Sequence, residues 1–180
     1  LLTPWSNDPV TDPSGEAFFV QDLDSGEWWS PTVQPRRDTG DYEARHGRGY
    51  SRFTHEAHDI ALELLQYVPL DDPVKISRLT LQNRSDRARR LSVTVYVEWV
   101  LGTSRGASAP FIVTGIDAAS GALLARRPWD LAFPGRVAFA DLRGRQTTWT
   151  CDRTEFLGRH GALGSPAALL GDAPLSGATG

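Results

Sequence analysis

Two histidines three residues apart, in His55-Glu56-Ala57-His58, are the first residues whose types suggest chemistry. A zinc-binding helix sets its histidines four apart on one face, so a spacing of three inside a strand-like stretch argues against metal. The plainer reading is a hairpin end whose polar side chains face water and hydrogen-bond locally. Asp71-Asp72 sits before Pro73. Glycosyl chemistry by a carboxylate pair needs the two groups to face each other across a cleft, about 5–9.5 Å apart. Neighbours in a turn diverge, so these aspartates read as turn residues. Neither a Gly-rich phosphate loop nor a Gly-x-Ser-x-Gly elbow occurs. Cys151 is a lone cysteine with no Cys or His cluster around it; it reads as a buried or half-buried strand thiol and excludes an internal disulfide.

Binding chemistry has more to work with. Six tryptophans (Trp5, Trp28, Trp29, Trp99, Trp129 and Trp149) offer faces that stack on a pyranose ring, and they are equally core material. Trp99 ends an alternating strand and reads as core, whereas Trp5 and Trp129 lie beside proline in loops and are placed to meet a carbohydrate or a neighbouring domain. Arg105, in the Gly102-Thr103-Ser104-Arg105-Gly106 loop, is placed to reach an anionic or sugar ligand; a solvated arginine is the alternative. The basic turn holding Arg84, Arg87, Arg89 and Arg90 reads as a solvated hairpin tip balanced by Asp86.

The elements that must position these residues are strands. Ala17-Phe18-Phe19-Val20 and Glu27-Trp28-Trp29 flank Asp24-Ser25-Gly26 as a hairpin. Short strands follow over 42–46 and 50–55, with Gly47 and Gly49 at a bend. Residues 60–67 read as strand from their neighbours, and 74–81 alternate with a period of two. Leu91, Val93, Val95, Val97 and Trp99 alternate with polar residues, so that face is expected in the core. Further strands are expected over 111–116, 122–124, 137–140 and 147–151. Recurrence every 10–15 residues is the pattern of an all-β sandwich. Residues 3–15 read as loop, and 158–180, rich in Gly, Ala, Ser and Pro, as poorly packed.

A chain of 180 residues accommodates one domain with a sizeable core. Nineteen basic residues scattered among 22 acidic ones, with a net charge of −3, give no electrostatic footprint for nucleic acid. Apolar runs are far shorter than the roughly 20 residues of a membrane-spanning helix. The chain starts at Leu1 and contains no methionine, which is expected of an internal segment of a longer protein.

Four ordered stretches carry a resemblance: residues 2–9 (Leu-Thr-Pro-Trp-Ser-Asn-Asp-Pro), 45–53 (Arg-His-Gly-Arg-Gly-Tyr-Ser-Arg-Phe), 67–74 (Tyr-Val-Pro-Leu-Asp-Asp-Pro-Val) and 96–102 (Tyr-Val-Glu-Trp-Val-Leu-Gly). Over residues 1–165 the chain resembles glycoside hydrolase family 94, once called glycosyltransferase family 36, with wording nearest the C-terminal region of its cyclic β-1,2-glucan synthase branch. The resemblance implies a mostly β fold: an antiparallel β super-sandwich, galactose mutarotase-like and here incomplete. Residues 1–165 would be the partial sandwich and 166–180 a tail leading to an (α/α)6 barrel absent from the chain. In the family that barrel holds the general-acid aspartate and the phosphate site, so no catalytic residue carries over here, and no cofactor or metal is implied. The implied partners are β-glucan or an oligosaccharide, inorganic phosphate through the barrel alone, the barrel itself, and a second copy in a homodimer. The implied location is the cytoplasmic face, with the parent anchored in a bacterial inner membrane.

Three readings follow from these residues: a non-catalytic sandwich segment that supports the barrel and binds or frames β-glucan, an independent carbohydrate-binding module with exposed tryptophans in a row, and a mutarotase-type enzyme. The last needs one of His46, His55, His58 or His160 to converge with one of Glu43, Glu56, Glu63, Glu98 or Glu155.

Overall fold

The computed structural model describes residues 1–4, 14–133, 135–171 and 173–180. Ten strands and four short helical segments are present among them. The chain divides into two compact units, Phe18–Val95 and Leu1–Ala17 with Tyr96–Gly180.

The unit Phe18–Val95 is a sandwich of two antiparallel sheets. One sheet orders β2-β1-β7, from β1 (Glu16–Asp22), β2 (Trp28–Trp29) and β7 (Leu91–Val97), and the other orders β3-β4-β5-β6. These last are Tyr42–Gly47, Tyr50–Ala57, Ile60–Tyr67 and Ile76–Asn83, a meander of hairpins. Because side chains alternate across a pleated strand, the register puts Tyr42, His55, Leu62 and Leu81 on one face and Glu43, Thr54, Glu63 and Thr80 on the other. The first face is apolar and closes the core. Val20, Trp29, Ile60 and Leu62 are at most 2% exposed there, with Ala57, Leu79, Leu81 and Leu91 packed around them.

Two turns in this meander have left-handed backbone. Gly49 (φ +77°) follows Arg48 in the two-residue β3–β4 loop, as glycine permits. In the β4–β5 loop the two residues are His58 (φ 53°) and Asp59 (φ 60°), a mirror-image turn of the kind that suits the twist of a tight hairpin and normally selects Asn-Gly. Tertiary contacts hold it: the His58 carbonyl accepts from Arg89 Nη1 at 2.8 Å, and the Arg84 amide donates to the Asp59 carbonyl at 2.7 Å.

In the other unit, β8 (Val113–Ile116), β9 (Leu123–Arg126) and β10 (Val137–Ala140) form an antiparallel sheet with order β10-β9-β8. Asp117 accepts from the Ser120 amide and hydroxyl to build the β8–β9 turn, with Gly121 left-handed behind it. Helix α1 (Arg105–Ser108) runs into a 3-10 turn (Ala109–Phe111). Helix α2 (Arg153–Leu157) starts where Asp152 accepts from the Thr154 amide, and it buries Phe156 and Leu157; the Phe156 ring stacks on Tyr96 at 5.2 Å.

The expected mostly β, antiparallel class is what the structure shows, with four local differences. No strand forms over 147–151: half-buried Cys151 lies in a loop whose amide donates to the Ala178 carbonyl. Residues 158–180 are not loose throughout, since the Gly177 amide donates to the Trp149 carbonyl, the Thr114 amide to the Gly180 carbonyl, and Leu169 is buried. Strand β7 ends at Val97, and its most buried side chain is Tyr96 at 8%, while Val93 is 40% exposed. Alternation tells which residues share a face, and only the packing partner tells which face is covered. Arg89 is no solvated tip residue. Its side chain is 5% exposed and forks onto Asp22 Oδ2 through Nε (2.8 Å) and Nη2 (2.5 Å). The expected loop over 3–15 lies mostly outside the described residues.

Candidate functional site: a corner built by residues 96–111 and 127–133

The two expected contact residues that the structure describes, Arg105 and Trp129, both fall in the unit that holds the β8–β10 sheet. Beyond the end of β7 the chain turns at Leu101, with φ 44°, and passes Gly102 into α1. Arg105 opens that helix and grips Glu98 in a two-pronged ion pair, Nε–Oε1 2.5 Å and Nη2–Oε2 3.0 Å. The guanidinium is therefore matched by a carboxylate rather than left free for an anion. Tyr96 donates its hydroxyl to the same carboxylate at 3.5 Å, and burial with the nearby Glu98 charge pushes the phenol above its ordinary value.

Trp129 sits on the loop after β9, 66% exposed, its ring T-shaped to Phe111 at a centroid distance of 6.3 Å. Arg127 lies over the same Phe111 ring at 5.9 Å and pairs with Asp130 at 3.2 Å. Asp130 in turn accepts from the amides of Ala132 (2.9 Å) and Phe133 (3.1 Å), which fixes the loop that presents Trp129. Beneath, Gly102 lies against fully buried Ser108; a Cβ on Gly102 would stand 2.1 Å from Ser108 Oγ and 2.8 Å from Arg127 Nη1. Gly102→Ala is thus expected to cost about 1–3 kcal/mol in chemical denaturation, the range for overpacking a closed site, and to release Arg127 from Phe111.

The corner offers an exposed indole, a phenyl ring and two guanidiniums already neutralised by carboxylates. It suits stacking and polyol hydrogen bonding, or burial against another domain, and it has no nucleophile set beside a base. Trp5 lies outside the described residues. Trp28 and Trp29 are buried at 7% and 0%, and Trp99 and Trp149 are half-buried, so the described tryptophans make no exposed row.

The histidines go elsewhere. His55 is 3% exposed, stacked on Tyr42 at 3.7 Å with Nδ1 at the Asp41 carbonyl, which corrects the water-facing reading of that hairpin end. His46 bonds Ser51. Neither meets a glutamate of the expected set. His58 does meet carboxylates, Asp38 Oδ2 at 2.7 Å and Glu27 Oε2 at 3.2 Å, beside the Trp29 ring. Asp38 loses solvation on burial, yet its carboxyl is held below the ordinary value by the Thr39 amide and by His58. Among the described residues no group of three or more His, Cys, Asp or Glu could hold a metal ion, and no helix is long and apolar enough to cross a membrane.

Fold and corner together define an antiparallel, mostly β domain. The Glycosyl hydrolase 94 supersandwich domain matches over residues 1–180, and the chain belongs to that family. It is 42% identical over 179 residues to the cyclic beta-(1,2)-glucan synthase NdvB of Rhizobium meliloti (strain 1021), covering 99% of this chain and 6% of that protein. It is 30% identical over 161 residues to solabiose phosphorylase of Paenibacillus borealis, 85% of this chain and 20% of that protein. With N,N'-diacetylchitobiose phosphorylase of Vibrio proteolyticus it shares 30% over 101 residues, 54% and 13% of the two chains. The chain therefore spans a small part of the length of the relatives it matches.

Proposed function

We propose that this chain is the non-catalytic sandwich of a larger glycoside phosphorylase or cyclic β-1,2-glucan synthase, in which it supports the catalytic barrel and frames or binds β-glucan. The observation that carries this reading is the family match across all 180 residues beside a share of only 6% and 20% of the two relatives with the longest matches. In the parent, residues 1–165 form the partial sandwich and 166–180 lead toward the barrel. The barrel supplies the general acid and receives phosphate, which replaces the water of an inverting hydrolase. Trp5, Arg105 and Trp129 then serve as carbohydrate or domain contacts. The Arg105–Glu98 fork favours the domain contact, since a neutralised pair tolerates burial better than a lone charge. A second copy of the chain and an anchored parent at the cytoplasmic face of an inner membrane complete the reading.

Incubating the purified chain with β-1,2-gluco-oligosaccharides and inorganic phosphate, and following glucose 1-phosphate, tests it. No turnover is expected from the chain alone, with turnover from a parent chain that includes the barrel. Glucose 1-phosphate from the 180-residue chain would overturn the proposal.

A further inference from the structure

The outward face of the β3–β6 sheet has an ordered chemistry of its own. Three rows of cross-strand neighbours follow from the register: Glu43, Thr54, Glu63, Thr80; then Arg45, Arg52, Leu65, Arg78; then Gly47, Tyr50, Tyr67, Ile76. Arg45 and Arg52 stand directly opposite, an arrangement that costs stability unless carboxylates offset it. The neighbouring row provides them. Glu43 holds Arg45 at 2.8 Å, and Glu63 lies 3.7 Å from Arg52 and 3.9 Å from Arg78.

In the third row Gly47 leaves a gap, and Tyr50 fills it. A Cβ on Gly47 would stand 2.1 Å from Cε1 and 2.4 Å from Cζ of the Tyr50 ring, so the ring leans across the hairpin over the neighbouring strand. Tyr50 nevertheless stays 44% exposed, and its register partner Tyr67 36% exposed. Tyr50 and Tyr67 thus share the outer face as register partners, the Tyr50 ring turned toward β3, next to a row of guanidiniums and, beyond it, a row of carboxylates. An open trough runs on from the carboxylate row past Thr54, Thr80 and Gln82, on the side away from the tyrosines.

From this juxtaposition we infer that the outer face of the β3–β6 sheet is a gluco-oligosaccharide-binding platform, with Tyr50 and Tyr67 as its stacking surface and the Arg–Glu rows as its hydrogen-bonding surface. An anion would have to displace Glu43 and Glu63 from the arginines. An apolar partner would have to desolvate those ion pairs without replacing their bonds. A neutral polyol does neither: each hydroxyl both donates and accepts, so it bridges guanidinium N–H and carboxylate oxygen, while the C–H face of the pyranose covers the phenol rings. The choice of glucose as the sugar rests on the proposed function; the platform itself rests on the sheet.

The test titrates the purified chain with β-1,2-gluco-oligosaccharides and with cello-oligosaccharides, by calorimetry and by NMR shifts of the β3–β6 amides. Saturable binding is expected for the wild type and for Leu70→Ala, a change at a fully exposed loop residue. Tyr50→Phe, which keeps the ring, should bind within about twofold, and Tyr50→Ala and Tyr67→Ala should each bind about tenfold more weakly, the loss of one stacking contact. Thermal melts of Tyr50→Ala and Tyr67→Ala beside wild type guard against misfolding as the cause of weaker binding. Absence of binding by the wild type, or binding that Tyr50→Ala and Tyr67→Ala leave unchanged, would overturn the platform. Absence of binding would also count against β-glucan binding by this chain in the parent, whereas its supporting role stands on turnover.

Discussion

Replacing Arg89 by methionine lowers the unfolding free energy by about 3–5 kcal/mol, the range for removing one member of a buried ion pair. The guanidinium makes three bonds at once: two to Asp22 Oδ2 and one from Nη1 to the His58 carbonyl at 2.8 Å. Asp22 is 1% exposed, so its charge is left without a counter-ion when Arg89 goes. Its other oxygen accepts from the Asp24 amide at 2.8 Å and the Ser25 amide at 3.4 Å, which keeps the β1–β2 turn closed. Those bonds, chiefly from Asp24 and then from Arg89, hold the Asp22 carboxyl below its ordinary value against the opposing cost of burial. A depressed folded pKa gives stability that is present above the unfolded carboxylate value, about 3.9, and is lost as pH falls through the lower folded value. In Arg89→Met the desolvation remains and the counter-charge does not, so the variant's deficit is largest where Asp22 is ionised and narrows as acid protonates it. Urea melts at neutral pH and an acid titration followed by circular dichroism measure both effects. Equal midpoints for variant and wild type would show that Asp22 is solvated in the folded chain.

Trp29→Ala costs about 3–5 kcal/mol, as truncating a fully buried aromatic does. Trp29, the register partner of Val20 on the same sheet, is 0% exposed and shares the sandwich core with Ile60 and Leu62 of the other sheet. Its ring also lies 4.7 Å from the His58 imidazole, at the turn that Arg89 holds from below. Trp29→Phe keeps the ring and removes the buried indole N–H, which has no hydrogen-bond partner among the described residues; a smaller loss follows. Because Arg89 and Trp29 both bear on His58, the double variant Arg89→Met/Trp29→Ala should fall short of the summed losses. Strict additivity in denaturant melts would mean that the His58 turn does not couple them.

Much of the strand pattern was legible because it rests on short-range rules. Alternation and turn residues place the strands β3, β4 and β10 and the β1–β2 hairpin close to where they form, since a pleat and a glycine turn each involve a few consecutive residues. The family likewise shows in local wording around residues 45–53 and 96–102. Where a segment depends on distant partners, the local pattern misleads. Residues 147–151 alternate like a strand, yet Trp149 and Cys151 meet Gly177 and Ala178 in a loop pairing outside any sheet.

The sequence by itself determined the class of fold, the family and the residue types available for binding, because periodicity and wording are properties of neighbouring residues. Only the tertiary structure decided which of those residues meet. Asp22 and Arg89 are 67 positions apart, and His58 and Asp38 are 20 apart. Arg105 is answered by Glu98, and Tyr50 leans over Gly47 beside Tyr67 through hairpin register. Burial, charge pairing and stacking are set by the approach of distant strands, and a one-residue slip in register would carry every side chain to the opposite face.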